Sequence, residues 1–587
     1  MISYYKKGYY RPQFERESFI DLCGEWDFVF DDNNEGEEKR FFINFPSDSK
    51  KIIVPFTYET VASKVHDETV HNVVWYKKTL LVSKLDDQRL IINFEGSDYL
   101  TKVWVNDHLV GMHEGYTSRF SFDVTDYVKE NEENEIVVKC EDSLDSTQPR
   151  GKQRWLENSY GCWYVQTTGL YKPVWCEVVS KNRLNSVKIT PNFESEDVTF
   201  EYEFLNVVDN LEVEALVTFD GVIVNKNRQL IKRYKTINTL DLRCNAFDFK
   251  TRIWNFENPN LYEVRFRVFE NDKLIDEVNS YFGFRKISVD ETGIKLNNNP
   301  LYQKLILAQN YWAESGLTAP NEEAFIHDIN MTKAAGFNGV RIHQKTEDER
   351  FLFYCDVMGL LVWGEFPAAY EYSDDAVEKL TNEWMSVVRQ YYNHPSIITW
   401  VPFNESWGIP NIYDSEAQQN FTKGIYFLTK TFDTMRPVIT NDGWEHTISD
   451  ILTLHDYDGC GAKMKEKYTT LLEGVLNNSV AHGGYKFAFA KNYEYYGQPI
   501  IISEYGGVAY DHSDGWGYNE KVTTEEALVA KYKELTDAIK FNKRICGYCY
   551  TQLTDTYQEV NGLLDFNHKP KIDLSKIKKI NDSIWED

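Results

Sequence analysis

The stretch Ile397-Ile-Thr-Trp-Val-Pro-Phe-Asn404-Glu405-Ser406-Trp407-Gly408 runs from a mostly apolar segment straight into a polar, acidic turn. An apolar run too short for a helix and closed by turn residues reads as a strand buried on both faces. The same unit recurs along the C-terminal half. Strands are expected at 303–311, 337–342, 360–365, 397–403, 436–441, 451–455, 498–503 and 545–552. Amphipathic helical stretches separate most of them, among them Glu322 to Ala335, Ala376 to Tyr392 and Thr524 to Phe541. Strand followed by helix, repeated over about 300 residues, predicts a (β/α)8 TIM barrel. The fifth-to-sixth connection is short and poorly helical, and is the weakest unit of the pattern.

Upstream the period falls to two. Residues 1 to about 180 alternate apolar and polar side chains, as in Val103-Trp-Val-Asn106 and Phe120-Ser-Phe-Asp-Val124, between Gly, Asn and Asp turns; this predicts a β-sandwich. From 183 to 286 the alternation is cleaner. Val198, Phe200, Tyr202 and Phe204 form one strand face, Val213, Ala215, Val217 and Phe219 another, and Tyr262, Val264, Phe266 and Val268 a third. About 100 residues with this spacing predict an immunoglobulin-like sandwich. The fold class is thus multidomain β plus α/β, with domains at 1–180, 181–286 and 287–587.

Composition narrows the function. The 587 residues carry 91 acidic and 64 basic side chains, a formal net charge of −27. That balance argues against nucleic acid and against an anionic membrane surface. No segment approaches a membrane span, and Met1 to Pro12 lacks the apolar run of a signal peptide, so a cytoplasmic location is expected. The cysteines are scattered; the lone Cys546-Gly-Tyr-Cys549 lacks a second pair for zinc and reads as buried thiols. Aromatic residues make up 15%, which suits pockets that stack sugar rings.

Functional groups of a TIM barrel project from the carboxyl ends of its strands. Those ends carry Arg341-Ile-His343-Gln344-Lys345, Glu365, Asn404-Glu405, His455-Asp-Tyr457, Glu504-Tyr-Gly-Gly507 and Tyr550-Thr-Gln552. Two carboxylates among amides and aromatics match glycosidic-bond hydrolysis: one acid protonates the leaving oxygen, and the other attacks the anomeric carbon.

With these residues in view, the sequence resembles glycoside hydrolase family 2, which includes β-galactosidases, β-glucuronidases and β-mannosidases. Asn393-His-Pro-Ser-Ile-Ile-Thr-Trp-Val-Pro-Phe-Asn404-Glu405-Ser406 resembles its acid/base motif, and Pro499-Ile-Ile-Ile-Ser-Glu504-Tyr its nucleophile motif. Trp75-Tyr76 and the run from Arg150 to Gly169 resemble its jelly-roll sugar-binding domain, and Tyr281-Phe-Gly-Phe-Arg285 its entry into the barrel. The resemblance implies Glu405 as general acid/base, Glu504 as nucleophile, Asn404 as the partner of the sugar 2-hydroxyl, Tyr457 as a hydrogen-bond partner of the nucleophile, and Arg341 as the family's strand-two arginine. It also implies that Glu157 or Asn158 reaches across from the sandwich.

Departures from the family pattern set the remaining expectations. His343-Gln344-Lys345 stands where Ser-His-Tyr-Pro is usual, and either His343 or Lys345 is expected to reach the sugar. Asn567-His568-Lys569 has the spacing of the Asn-x-Lys motif that holds a uronate in β-glucuronidases, but it runs straight into Lys569-Pro-Lys571 and reads as a chance match. Ala369-Tyr370-Glu371 replaces the Glu-Thr-His that binds magnesium in large β-galactosidases, so no metal or organic cofactor is expected. Trp516 is expected at the wall of the substrate site; Trp407, Trp444, Glu365 and His455 are open between site and packing. The resulting reading is a retaining exo-β-glycosidase acting on carbohydrate, β-galactosidase first and β-glucuronidase or another family 2 β-glycosidase second. A non-catalytic carbohydrate-binding protein is the remote rival. A homo-oligomer is compatible with the sequence.

Overall fold

A computed structural model describes residues 2–243, 250–510 and 515–583. Near the N-terminus a four-stranded sheet (Ile20–Asp21, Arg89–Phe94, Phe120–Asp123, Val174–Val179) faces a six-stranded one ordered Lys50–Val54, Gly24–Phe30, Val73–Val82, Glu132–Glu141, Leu100–Val105, His108–Glu114. Their inner faces supply one core, with Trp26, Tyr76, Ile92, Phe94 and Val138 buried in it. A second sandwich follows, three strands between Leu184 and Asp241 and four between Leu211 and Phe282. The predicted alternation is its core: Val198, Phe200, Tyr202, Phe204, Val213, Ala215, Val217, Val264, Phe266 and Val268 are all buried.

The C-terminal part is a parallel β/α barrel. Seven strands form one sheet in the order Ile397–Val401, Leu361–Glu365, Gly339–Ile342, Gln303–Ala308, Ile545–Thr551, Ile500–Gly506, Leu452–Asp456. The expected strand at 436–441 is not regular. Its chain touches the fourth strand through the Trp400–Val438 and Asn404–Asp442 bridges, and Gly443 accepts from the His455 amide of the sixth. Pro437 and a Gly443 with φ of +93° interrupt the pairing there. No helix separates this segment from the sixth strand.

Inside and outside are written by alternation. Leu305, Leu307, Leu361, Trp363, Ile398, Val401, Ile501 and Cys549 fill the interior together with Ile287, Ile294 and Leu296 of a hairpin that sequence reading missed. The alternate residues Ile306, Val340, Ile342, Val362, Trp400 and Ile502 pack against the helices. Arg341 and Glu365 therefore point inward, above the apolar layers. Side-chain caps begin the helices Glu322–Ala334, Asp374–Tyr391 and Glu525–Lys540: Asn321, Ser373 and Thr524 each accept an amide of the first turn.

Candidate active site

Strand phase alone would turn Glu504 outward, because Ile502 already faces the helices. The pairing slips instead. Leu454 opposes Ile502 while His455 opposes Glu504, which leaves Ser503 as an extra residue. This bulge swings Glu504 into the barrel mouth. Glu405 arrives differently. It and Ser406 follow the fourth strand with φ of +51° and +58°, a conformation uncommon for residues with a Cβ. The Glu405 amide donates to Asp442 O, and that of Ser406 to Asn441 Oδ1. The result is convergence: facing oxygens of Glu405 and Glu504 lie within 4.8 Å of each other.

Arg341 organises the floor of the site. It is fully buried and donates to Glu365 Oε2 at 2.6 Å, Glu504 Oε1 at 2.5 Å and Asn404 Oδ1 at 2.7 Å, with Asp442 Oδ2 2.9 Å from Nη2. Arginine only donates, so Asn404 must turn its oxygen to it and its NH2 toward the open side. The Tyr457 hydroxyl donates to Glu504 Oε2. Burial pushes Glu504 up, but the charges of His455 and Arg341, with His343 and the Tyr457 hydroxyl, outweigh it and hold the carboxyl down to about 2. Glu365 is pushed up by burial to about 7 despite Arg341. Glu504 is thus kept ionised while Glu365 is not held down.

His455 bridges the centre. Its Nδ1 lies 2.8 Å from Glu405 Oε1, its Nε2 3.0 Å from Asp442 Oδ2. The mouth beside it, about 410 Å³, is lined by Glu405, Trp444, His455, Tyr457, Lys467 and His482. The Glu405 side chain retains 18% exposure against 4% for Glu504, which leaves it facing the entrance. Clefts of about 570 and 700 Å³ elsewhere sit at sandwich–barrel junctions, away from both carboxylates. Both His455 nitrogens, and both Glu504 oxygens, already have protein partners, so the trio reads as a hydrogen-bonded network and not as an open coordination shell.

The His343-Gln344-Lys345 departure resolves into three directions. His343 points at the carboxylates, with Nδ1 3.1 Å from Glu365 Oε1 and 3.9 Å from Glu504 Oε1. Gln344 faces the first sandwich and accepts from Tyr370. Lys345 turns away from the sugar side; it donates to Asn310 O and Leu317 O and pairs with Glu347, so its expected substrate contact gives way to a role tying loops.

Glu157 also departs from expectation. It is exposed in the 155–160 turn, and the sandwich reaches the barrel through other residues. Gly151 approaches so closely that a Cβ there would lie 2.2 Å from Gln344 O. Its amide and that of Arg150 donate to Ala368 O. Trp155 stacks on Tyr370 at 3.8 Å, and Trp163 meets Trp407 edge-on at 5.3 Å. Lys152 is buried among them over the Trp163 ring, and it pairs with no carboxylate among the described residues. Burial pulls its ammonium down, but Cys162, to which it hydrogen-bonds, and then Glu559, Tyr370 and Glu504 outweigh it and push it up. Trp516 lies on the rim, bonded to Gly161 O and edge-on to Tyr518, which stacks on Tyr457. Residues 511–514 lie outside the described residues. Asn567 and Lys569 are exposed, while His568 between them is buried on Asp328 and Tyr311 O. Sequence reading misses Lys152 and Asp442: neither belongs to a chemical motif, though Lys152 is a cation in a stretch flagged for the sandwich.

Comparison with known proteins fits this geometry. Family profiles match in order: "Glycosyl hydrolases family 2, sugar binding domain" at 19–160, "Glycosyl hydrolases family 2" at 182–285 and "Glycosyl hydrolases family 2, TIM barrel domain" at 287–584. A putative β-glucuronidase of Formosa agariphila is 26% identical over 78% of this chain, which spans only 55% of that protein's length. A β-galactosidase of Thermoanaerobacterium thermosulfurigenes is also 26% identical, over 76% of this chain and 62% of its own. Among solved structures, a β-glucuronidase from Ruminococcus gnavus in complex with uronic deoxynojirimycin superposes with a TM-score of 0.79 over 97% of this chain and 99% of its own, at 17% identity, a likeness of fold. No helix of the described residues is long and apolar enough to cross a membrane. With profiles covering both sandwiches and the barrel, and two facing glutamates at the barrel mouth, the chain belongs to glycosyl hydrolase family 2.

Proposed function

We propose that the protein is a retaining exo-β-glycosidase whose sugar is a β-linked uronic acid, a β-glucuronidase-type activity. The carrying observation is the pair of carboxylates with facing oxygens within 4.8 Å, which suits attack by one of them and not the interposed water of an inverting enzyme. In this reading Glu504 attacks the anomeric carbon and Glu405 protonates the departing oxygen. The glycosyl ester is then hydrolysed by water that Glu405 deprotonates. Asn404 offers its NH2 to the 2-hydroxyl, and Tyr457 and Arg341 hold the nucleophile. The domains divide at 1–180, 181–286 and 287–587, the first lending Lys152 and Trp163 to the site.

The choice of sugar departs from the β-galactoside preferred on sequence alone. Curated relatives 24–26% identical to this chain are named as β-glucuronidases or putative ones, beside a β-galactosidase at 26%, and the solved structure of like fold is a β-glucuronidase, which supports the second reading over the first. Lys152 supports it chemically: a buried ammonium with no carboxylate in ion-pair contact among the described residues, yet within the field of Glu504, suits a carboxylate brought by the substrate. The exposed Asn567 and Lys569 are not needed for that contact. Hydrolysis of nitrophenyl β-D-glucuronide, β-D-galacturonide, β-D-galactoside and β-D-mannoside tests the proposal. A higher kcat/KM on either uronide than on the neutral sugars is expected. Preference for galactoside would return the reading to β-galactosidase, and no turnover of any would leave a carbohydrate-binding protein.

A further inference from the structure

Glu405 does not stand alone. The imidazole of His455 is clamped between Glu405 Oε1 at Nδ1 and Asp442 Oδ2 at Nε2. Asp442 is itself fixed by Arg341. The Gly443 backbone packs closely against the ring, since a Cβ there would lie 2.4 Å from its Cγ, and Trp444 sits edge-on to it at 6.4 Å.

We propose that His455, oriented by Asp442, is a positioning residue for the acid/base, so that the site works through a Glu405–His455–Asp442 triad. The inference rests on the reading of Glu405 as acid/base. With protons on both ring nitrogens, Nδ1 donates to Oε1, and the exchangeable proton of Glu405 is left on Oε2. In the first step that proton passes to the glycosidic oxygen as the C–O bond breaks, the bonding pair leaves with the aglycone, and a Glu504 oxygen bonds to the anomeric carbon. The resulting Glu405 carboxylate keeps its Nδ1–H bond and accepts a proton from water in the second step. If Nδ1 loses its proton it becomes an acceptor, and it draws the Glu405 proton onto Oε1, off the oxygen that serves the substrate.

Two carboxylates favour the charged form of the ring, and the cations and histidines around it oppose that form. Glu504 Oε2 lies 3.6 Å from Nδ1. His343 and Arg341 face it from the second strand, His446 from the segment after the fifth, and His482 and Lys467 from beyond the sixth. Burial pulls the imidazole down, but the charges of Glu504 and Asp442 and the bonds to Asp442 and Glu405 push it up to about 10.

The test compares His455→Asn, His455→Gln and Glu405→Gln on methyl and 2,4-dinitrophenyl β-glucuronides, or on the β-galactosides if those are turned over. The dinitrophenolate leaves without an acid. His455→Asn should lower kcat on the methyl glycoside by about 100-fold or more, within the range of general acid catalysis, with KM changed less than about threefold. Its dinitrophenolate burst, which counts folded sites, should keep full amplitude and a rate within about tenfold of the parent. The basic limb of the pH profile should move, because the titrating imidazole beside Glu405 is gone. His455→Gln, which can still donate to Glu405, should recover part of the loss. Equal losses on both leaving groups, or an unmoved basic limb, would overturn the triad. If Glu405→Gln itself shows no leaving-group dependence, the acid/base reading has failed, and the inference falls with it. If Glu405→Gln shows that dependence and His455→Asn does not, only the role of His455 falls.

Discussion

Arg341 Nη1 sits 2.5 Å from Glu504 Oε1 while the same guanidinium serves Glu365, Asn404 and Asp442. Three buried carboxylates share one cation, so the arginine sets both the charge of Glu504 and the stability of the barrel mouth.

Arg341→Ala should therefore cost about 3–5 kcal/mol of folding stability, the usual consequence of stranding buried charge, read as a lower denaturant midpoint. Arg341→Lys should keep the fold but lose the fork. Glu504 held at about 2 stays ionised above that pH, so the parent should not lose its nucleophile to protonation between pH 5 and 3. With the fork removed, the Glu504 value rises toward that of an ordinary carboxylate or beyond, and inactivation by a 2-fluoro glycoside should weaken at a higher pH than in the parent. An unchanged acid limb would mean that Arg341 does not tune Glu504.

Lys152→Met removes the buried ammonium at nearly constant length. Loss of a charge-assisted contact of about 2–3 kcal/mol predicts a 30–150-fold fall in kcat/KM on a uronide and a much smaller fall on the matching neutral glycoside. Equal falls on both would remove Lys152 as the carboxylate partner. Lys569→Ala, an exposed position, should leave both substrates within a few-fold.

The two glutamates separate by their azide products. Glu504→Ala should abolish turnover, and azide occupying the vacated space should give an inverted glycosyl azide. Glu405→Ala should accumulate glycosyl-enzyme from a dinitrophenyl glycoside, and azide should release a retained one. NMR of the products decides, and exchanged configurations would reverse the two roles.

How much of this was legible follows from distance along the chain. Asn404-Glu405 and Glu504 are readable because each lies in a short motif at the end of an apolar strand, where barrel geometry gives a direction. The same logic finds Arg341 and Tyr457. It cannot find Asp442, which lies on a segment whose Pro437 and Gly443 break the strand pattern. Nor can it see that the bulge at Ser503 turns Glu504 inward. Lys345 misleads because a lysine near a barrel mouth and a lysine bonded to loop carbonyls look alike in sequence. Glu157 misleads for a related reason: the nearest acidic side chain sits on the solvent side of the turn, and Lys152, five residues earlier, is the charged residue buried there.

Gly443→Ala offers an independent perturbation of the imidazole. A methyl there would meet the His455 ring at 2.4 Å, at a backbone φ of +93° that already disfavours a side chain. The ring should be driven off Glu405, and methyl glycosides should suffer more than dinitrophenyl ones. Identical losses on the two would point to a general collapse of the loop, which a falling Tm would register.

Lys152 and Trp163 belong to the first sandwich, yet Trp163, with Lys152 over its ring, packs against Tyr370 and Trp407 of the barrel, more than two hundred residues later. Competence therefore depends on docking as well as on folding. A barrel excised at 287 would retain Glu405, Glu504 and Arg341 but expose the ring faces of Tyr370 and Trp407 to water and lose its cation. Supplying the sandwich in trans would then act as an on-switch for turnover, and the rate regained would measure how tightly two pieces of one chain recognise each other.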